Sequence, residues 1–274
     1  MLCRAPHHGA CPNSAAPEAA PSLCAFGISG DGTLMATFTT DRPDVLDWVR
    51  AVTGLSGDTS LIGIDFRVQD GLLYGVGNKG GIYTIKTPPA TTDVVVTKVS
   101  QHQYDLRGMT FGVDFDPAAD RLRVISDTGQ NLRHNLNDHS TIQDLNLTTP
   151  PIEGTTKGVT AAAYTNNDLS AATATSLIDI NAISDQVVLQ SPANNGTLAP
   201  TGSLGLDAGL EAGMDIYRAL PNGKAVDNAA FASLAPAGAG TPSLYSINVL
   251  TGQATSIAQF PLNITDLAIA LTGN

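Results

Sequence analysis

Basic residues are scarce in this chain. Lys and Arg number 14 against 25 Asp and Glu, giving a formal net charge of −11 over 274 residues. Phosphate backbones and anionic lipid surfaces attract clustered Lys and Arg; no such cluster occurs, which argues against nucleic-acid binding. Charged residues of all kinds make up 14%, well below the roughly 25% typical of soluble domains. Long apolar runs are missing too, and none approaches the roughly 18 residues of a membrane-spanning helix. The opening, MLCRAPHHGACPNSAAPEAAPSLC, lacks the uninterrupted apolar stretch of a signal peptide. That leaves a cytoplasmic protein, or one whose export signal lies outside this sequence.

Cysteine is confined to Cys3, Cys11 and Cys24. Such clustering suggests a local staple between two of them, with the third free or joined to another chain; the alternative is three unpaired thiols in a loose tail. Cys3, His7, His8 and Cys11 have a spacing too compressed for a standard zinc finger. Also absent are a Gly-X-Ser-X-Gly elbow, a Gly-rich phosphate loop, Cys-X-X-Cys and His-Glu-X-X-His. Catalytic residues are therefore unknown from motifs. Of the five histidines, His134 and His139 flank an expected hairpin, where solvated loop residues are commoner than metal ligands. Cys24 and Trp48 are expected to be packing residues.

What the chain has is 42% apolar residues, with polarity supplied by Thr, Ser, Asn and Gly. That mixture suits strands and turns better than helices. It also has a repeat. Gly63-Ile64-Asp65-Phe66, Gly112-Val113-Asp114-Phe115 and Gly213-Met214-Asp215-Ile216 share one pattern, with relaxed copies at Gly158-Val159-Thr160-Ala161 and Ile264-Thr265-Asp266-Leu267. A second anchor follows: Gly81-Ile82-Tyr83-Thr84-Ile85, Asn131-Leu132-Arg133, Ser176-Leu177-Ile178-Asp179-Ile180 and Ser243-Leu244-Tyr245-Ser246-Ile247. The late arrival of the last anchor implies an insertion at 218–241, whose Ala, Gly and Pro read as a long loop.

Each unit reads as about four strands. The clearest has them at Leu61–Val68, Leu72–Val76, Ile82–Lys86 and Val94–Val99, with Asp70-Gly71 as a hairpin signal. DVLDWVRAV, residues 44–52, fits helix or strand. Four-stranded units of this length are β-propeller blades. The expected fold is all-β: a five-bladed propeller closed by strands from both termini, with six blades as the alternative. A β-sandwich would not explain the phased anchors. Residues 1–22 form a Cys/Pro/Ala-rich tail and 23–274 a single domain.

The first strand of each blade lies at the axis. Asp65, Asp114, Asp215 and Asp266 would then form a ring with Thr160 as its uncharged fifth member, and Arg67 and Asp116 would share those strand faces. The densest stretch, FGVDFDPAADRLRVISDTGQNLRHN (111–135), supports two readings. In one, the carboxylates accept hydrogen bonds from the neighbouring blade's backbone or pair with Arg121 or Arg123, while Asp116-Pro117 and Asp127-Thr128-Gly129 form turns. In the other, the carboxylates converge to bind a divalent cation or a hydroxylated or cationic ligand. Close carboxylates also raise one another's pKa, which suits acid–base hydrolysis of sugars or lactones.

LIGIDFR, LLYGVG, FGVDFDPAADRLRVISDTGQNLRHN, AAAYTNN and NNGTLAPTGSLGLD together resemble domain-of-unknown-function family 4394, from about Leu61 to Leu271. The resemblance implies a bacterial, commonly exported, propeller-like protein. It carries no established reaction and no assigned catalytic residues. Members usually begin with an export signal, which this sequence does not show. Its acidic, Lys-poor, Thr-rich character and clustered cysteines favour a secreted or cell-surface protein, and the Asn-X-Thr triplets at Asn146, Asn195 and Asn263 would be open to glycans there.

Three functions follow as expectations. The first is an extracellular scaffold that binds a glycan, small molecule or protein at its axis, through Asp65, Arg67, Asp114, Asp116, Asp215 and Asp266, or along 218–241. The second is a hydrolase or lyase acting through paired axial aspartates. The third is a structural subunit self-associating through its N-terminal cysteines.

Overall fold

A computed structural model of the chain describes residues 22–170, 172–219, 227–238 and 240–271. The Cys3–Cys11 histidine cluster and self-association through the tail concern residues outside those described, as do two of the three cysteines of the expected staple; Cys24, the third, is described and carries a free thiol.

The molecule is all-β and propeller-like. Its first strands are β1 (Cys24–Ser29), β2 (Leu34–Thr39) and β3 (Trp48–Thr53). A full antiparallel meander follows, with β4 (Leu61–Phe66), β5 (Leu73–Gly77), β6 (Gly81–Lys86) and β7 (Val94–Gln101). The next comprises β8 (Phe111–Asp116), β9 (Arg121–Ser126), β10 (Asn131–Asn135) and β11 (Ser140–Gln143). Then come β12 (Val159–Tyr164), β13 (Leu177–Asn181), β14 (Gln186–Gln190) and β15 (Leu198–Ser203). The last full meander is β16 (Ala208–Ala219), β17 (Asp227–Pro236), β18 (Ser243–Ile247) and β19 (Ala254–Gln259).

The final strand, β20 (Ile264–Ile269), pairs antiparallel with β1, Ala25 opposite Ile269 and Ile28 opposite Asp266. Strands from opposite ends of the chain thus share one sheet, as the repeat requires. That sheet, β20-β1-β2-β3, joins β4–β7 into eight strands only through a short parallel contact of Val52 with Val94 and Thr53 with Val95. The other three meanders are separate four-stranded sheets. Their first strands touch in a closed cycle: β4 with β8, β8 with β12, β12 with β16, β16 with β20, and β20 with β4.

Alternation along each strand sends successive side chains to opposite sheet faces, and each face packs on a different neighbour. On β5, Leu73 joins Ile28, Met35, Ile64 and Tyr83, while Tyr74 and Val76 join Phe115, Leu122 and Val124. Ile125 meets Ala162, Leu177 and Val188 at the next junction, and Ile178 and Ile180 meet Met214 and Ile216 at the one after. Phe231 and Leu244 close the circuit on Phe38 and Ile269. The core is therefore divided among the junctions. Each fully buried Leu, Ile or Phe contributes roughly 1.5–3 kcal/mol, so stability depends on every sheet having both neighbours.

Turn chemistry sets the meanders. At Asp70-Gly71, Gly71 adopts φ 69° and Asp70 Oδ1 accepts the Leu72 N–H at 3.0 Å. The ambiguous segment around Trp48 is strand β3, with Trp48 packed on Phe26 at a 6.1 Å ring separation.

Two expectations need correction. Residues 218–241 are not all loop, because β17 occupies Asp227–Pro236 and continues the long hairpin from β16. Its Ala-rich composition hides an alternation in which Ala230, Ala232 and Leu234 face one core and Phe231 the other. Ser176–Ile180 coincides with β13, the second strand of its unit, whereas the other three anchors lie on third strands.

Truncation after Asn263 removes β20 and with it the partner of β1, β4 and β16. The truncated chain is expected to lose its cooperative thermal transition, followed by circular dichroism; a cooperative transition near the full-length temperature would contradict this closure.

Candidate functional site

The inner strands present a backbone problem. Each pairs with its own second strand on one side, while the other edge faces the axis, where buried N–H groups need acceptors. Aspartates from adjacent inner strands supply them. Asp65 Oδ2 on β4 accepts the Phe115 N–H of β8 at 2.7 Å. Asp114 Oδ1 on β8 accepts the Tyr164 N–H of β12 at 3.1 Å. Asp215 Oδ2 on β16 accepts the Ile269 N–H of β20 at 2.6 Å, and Asp266 Oδ2 on β20 accepts the Ile64 N–H of β4 at 2.8 Å. The junction from β12 to β16 differs: Asn167 Nδ2 donates to the Ile216 carbonyl at 3.1 Å.

Register corrects the composition of the ring. Asp65 lies opposite Tyr74, Asp114 opposite Arg123 and Asp215 opposite Phe231. The equivalent residues are Ala163, opposite Ile178, and Ala268, opposite Phe26. Thr160 is not the fifth member; it sits at the bulge between Val159 and Ala161. Asp266 lies two residues before Ala268, level with the repeat's glycines. Its Oδ1 occupies the position a Gly213 side chain would need, and a Cβ on Gly63 would come within 3.2 Å of Oδ2. Glycine also brings β8 close to β12, since a Cβ on Gly112 would lie 2.6 Å from the Ala162 nitrogen.

Oxygens of Asp65, Asp114 and Asp215 lie within 4.8 Å of one another. Asp65 is 6% exposed, Asp114 2%, Asp215 3% and Asp266 4%. Among the described residues, no salt bridge reaches any of them. Burial, followed by the charges of Asp65 and Asp215, pushes the Asp114 carboxyl well above its ordinary range. Burial and then the charge of Asp215 do the same to Asp65. Burial dominates at Asp266 as well. At Asp215 it raises the pKa to about 6 against the N–H bonds from Ile269 and Ile216. Three oxygens about 4.0–4.5 Å apart, inside that limit, would place a central ion about 2.3–2.6 Å from each, the calcium–oxygen range. The cluster can therefore share protons or hold a small cation.

A cavity of about 360 Å³ opens where the inner strands begin, beside Ile62, Phe111, Ala212 and Thr265, with Asp31 and Glu211 also lining it. It forms an acidic mouth one or two residues along the strands from the glycine level.

The remaining expected site residues go elsewhere. Arg67 grips Asp120 through Nε and Nη2 at 2.7 and 2.6 Å and Asp70 through Nη1 at 2.7 Å, tying the β4–β5 turn to the β8–β9 turn. Asp116 Oδ1 accepts from the Ala118 and Ala119 amides and from Thr175 Oγ1. Arg121 Nη1 bonds the Ala119 and Asp120 carbonyls. Arg123 is 2% exposed and bonded to Asp144 at 2.6 Å, a carboxylate it shares with Arg133.

Sequence reading missed the burial of His134, which bonds Thr141 and Ser100 on its two ring nitrogens while exposed His139 also bonds Ser100. Thr141 lies opposite it across the β10–β11 hairpin, but Ser100 is distant in sequence, and only the β10 alternation pointed inward. Cys24 is exposed rather than packed, because it stands at the very start of β1, short of the core that Phe26 and Ile28 reach from the same face.

The sequence model of a family described as a domain of unknown function, DUF4394, matches residues 34–268. The chain belongs to this family. The match runs from β2 almost to the end of β20 and agrees with the resemblance carried by LIGIDFR and the 111–135 stretch. A structural-genomics protein of unknown function from Bacteroides thetaiotaomicron has a similar structure, with TM-score 0.50 and 14% identity over 91% of this chain and 67% of that one. Glutaminyl cyclase from Myxococcus xanthus reaches TM-score 0.45 and 11% identity over 90% of this chain and 97% of that one. The first likeness speaks to the fold alone. Among curated proteins, none matches.

The axial carboxyls give the DUF4394 chain a pH dependence of definite sign. A raised carboxyl pKa means the folded state holds protons that the unfolded chain has released, so this stabilisation is lost as pH rises. Buried His102 and His134, pushed down mainly by burial to about 3 and about 4 from 6.5, oppose the trend below pH 6.5 by losing stability as pH falls. Above pH 6.5 the carboxyls prevail. With chelator present, the melting temperature is expected to fall as pH rises above about 6.5, and the slope to flatten in Asp65→Asn/Asp114→Asn. A rising melting temperature, or an unchanged slope in the double variant, would contradict this.

Proposed function

We propose that this chain is a five-bladed β-propeller used as a binding scaffold, with a cation held by its axial aspartates. In this reading residues 23–274 form one propeller domain after the tail 1–22, and the eight-stranded sheet counts as two blades meeting at their outer edges. The closed cycle of β4, β8, β12, β16 and β20 supports five blades, as does the division of the core into five junction clusters.

The observation that carries the function is the convergence of Asp65, Asp114 and Asp215, buried and without a basic partner among the described residues. Like charges this close are costly in a low-dielectric site unless neutralised. A divalent cation neutralises them, and hard carboxylate oxygens select calcium or magnesium over softer metals. The acidic mouth at Asp31 and Glu211 would gather cations and lead them toward the axis.

In the same reading the scaffold is exported, and a glycan, small molecule or protein partner docks at the mouth rather than on the buried carboxylates. Hydrolysis of sugars or lactones has less support. It calls for two carboxyls beside an open substrate site, whereas these are deeply buried and each accepts a backbone amide.

Calorimetric titration with calcium chloride at neutral pH tests the reading. Binding is expected to release protons, seen as heats that vary with the buffer's ionisation enthalpy, and to raise the melting temperature by several degrees. Asp65→Asn/Asp215→Asn should abolish both effects. Absence of binding by calcium and magnesium, or binding that survives the double variant, would overturn the proposal.

A further inference from the structure

A second cavity, of about 300 Å³, lies between the β8–β11 sheet and the β12–β15 sheet. Its floor is polar although buried. Gln190 is 1% exposed; its Nε2 donates to the Ala193 carbonyl at 2.6 Å, and its Oε1 has no hydrogen-bond partner among the described residues. Tyr164, 3% exposed, accepts the Arg123 Nε–H at 3.2 Å and makes no other side-chain hydrogen bond among the described residues, leaving its own hydroxyl hydrogen uncommitted there.

Arg123 directs Nη1 to Asn131 and Asp144 and one Nη2 hydrogen to Asn194. Among the described residues, one of its five N–H groups remains without a partner. Leaving a buried acceptor unpaired is costly, so a floor holding one acceptor and two free donors suits a molecule that satisfies all three.

Charge narrows the class. Arg123 already meets Asp144 at 2.6 Å and the Asp116 carboxylate also lines the cavity, so the floor has little net attraction for an anion. Asp116 Oδ1 is in turn taken up by Ala118, Ala119 and Thr175, and the free donors beside it disfavour a cation. Hydroxyl groups donate and accept at once. Leu177 and Leu189 line the same cavity and give an apolar surface for ring C–H groups. Exposed Ser191 and Asn194 lie at the opening. The volume stands at the small end of ligand sites.

We infer that this cavity binds a small neutral polyhydroxylated molecule of monosaccharide size, with Gln190 Oε1 accepting from one hydroxyl and Tyr164 and Arg123 donating to others. The site is distinct from the axial mouth and does not depend on the axial cation. Its link to the axis is the Asp114 bond to the Tyr164 amide, which fixes the start of the tyrosine's side chain.

Saturation-transfer NMR with D-glucose, D-mannose and N-acetyl-D-glucosamine at millimolar concentration tests it on the full chain. At least one sugar is expected to bind. Gln190→Leu and, separately, Tyr164→Phe should weaken that binding about tenfold or more, roughly 1.4 kcal/mol, with unchanged far-UV circular dichroism. Tyr164→Phe removes a single oxygen and keeps the test sound should Gln190→Leu fail to fold. No binding by any of the sugars, binding of acetate in their place, or sugar binding indifferent to Tyr164→Phe would overturn the inference.

Discussion

The structure depends on how the inner edges of the central strands are satisfied. A strand next to the axis has a partner on one side only, and its other row of amides is buried where water cannot repair an unmade bond. Leaving one such group unpaired costs roughly 1–3 kcal/mol. Asp65, Asp114, Asp215 and Asp266 answer this by reaching across to the next unit. The repeated Gly-X-Asp pattern follows from the same need. Glycine lets neighbouring strands approach, and aspartate two residues later bonds the neighbour.

That solution creates the feature with functional content. Carboxylates arranged around a closed circle must converge, and convergence in a buried place raises their pKa or calls for a cation. A structural role and a binding role are therefore consequences of one geometry. The fifth junction is tied differently: where Ala163 stands at the aspartate position, Asn167 makes the crossing bond by donating to the Ile216 carbonyl instead of accepting an amide, and no charge is added. Away from the axis, Arg67 with Asp120 and Arg123 with Asn194 tie neighbouring units at larger radius. These pairs account for Asp120 and Arg123 among the charges concentrated in 111–135.

Much of this was legible in the sequence, because the interactions at the axis recur. Glycine, aspartate and strand alternation marked the inner strands of three units clearly, and the short C-terminal unit implied a shared sheet. The β12 unit was harder to place. Ala161-Ala162-Ala163 has lost both signature residues, so the nearby Gly158-Val159-Thr160 attracted the alignment, and a bulge at Thr160 hid the slip. Asp266 was found but placed two residues out of register, since one carboxylate looks like another until its cross-strand partner is known. The Arg123, Tyr164 and Gln190 floor was invisible, because its members come from three strands on two sheets and share no local pattern.

The central claim concerns specific amides, and hydrogen exchange at Phe115 tests it most directly. In wild type this amide bonds the Asp65 carboxylate rather than its own sheet. Residue-resolved exchange by NMR should find Phe115 protected, and Asp65→Ala should speed its exchange selectively while the Arg123 and Arg133 amides deeper in the same sheet remain slow. Equal protection of Phe115 in both proteins would contradict the account.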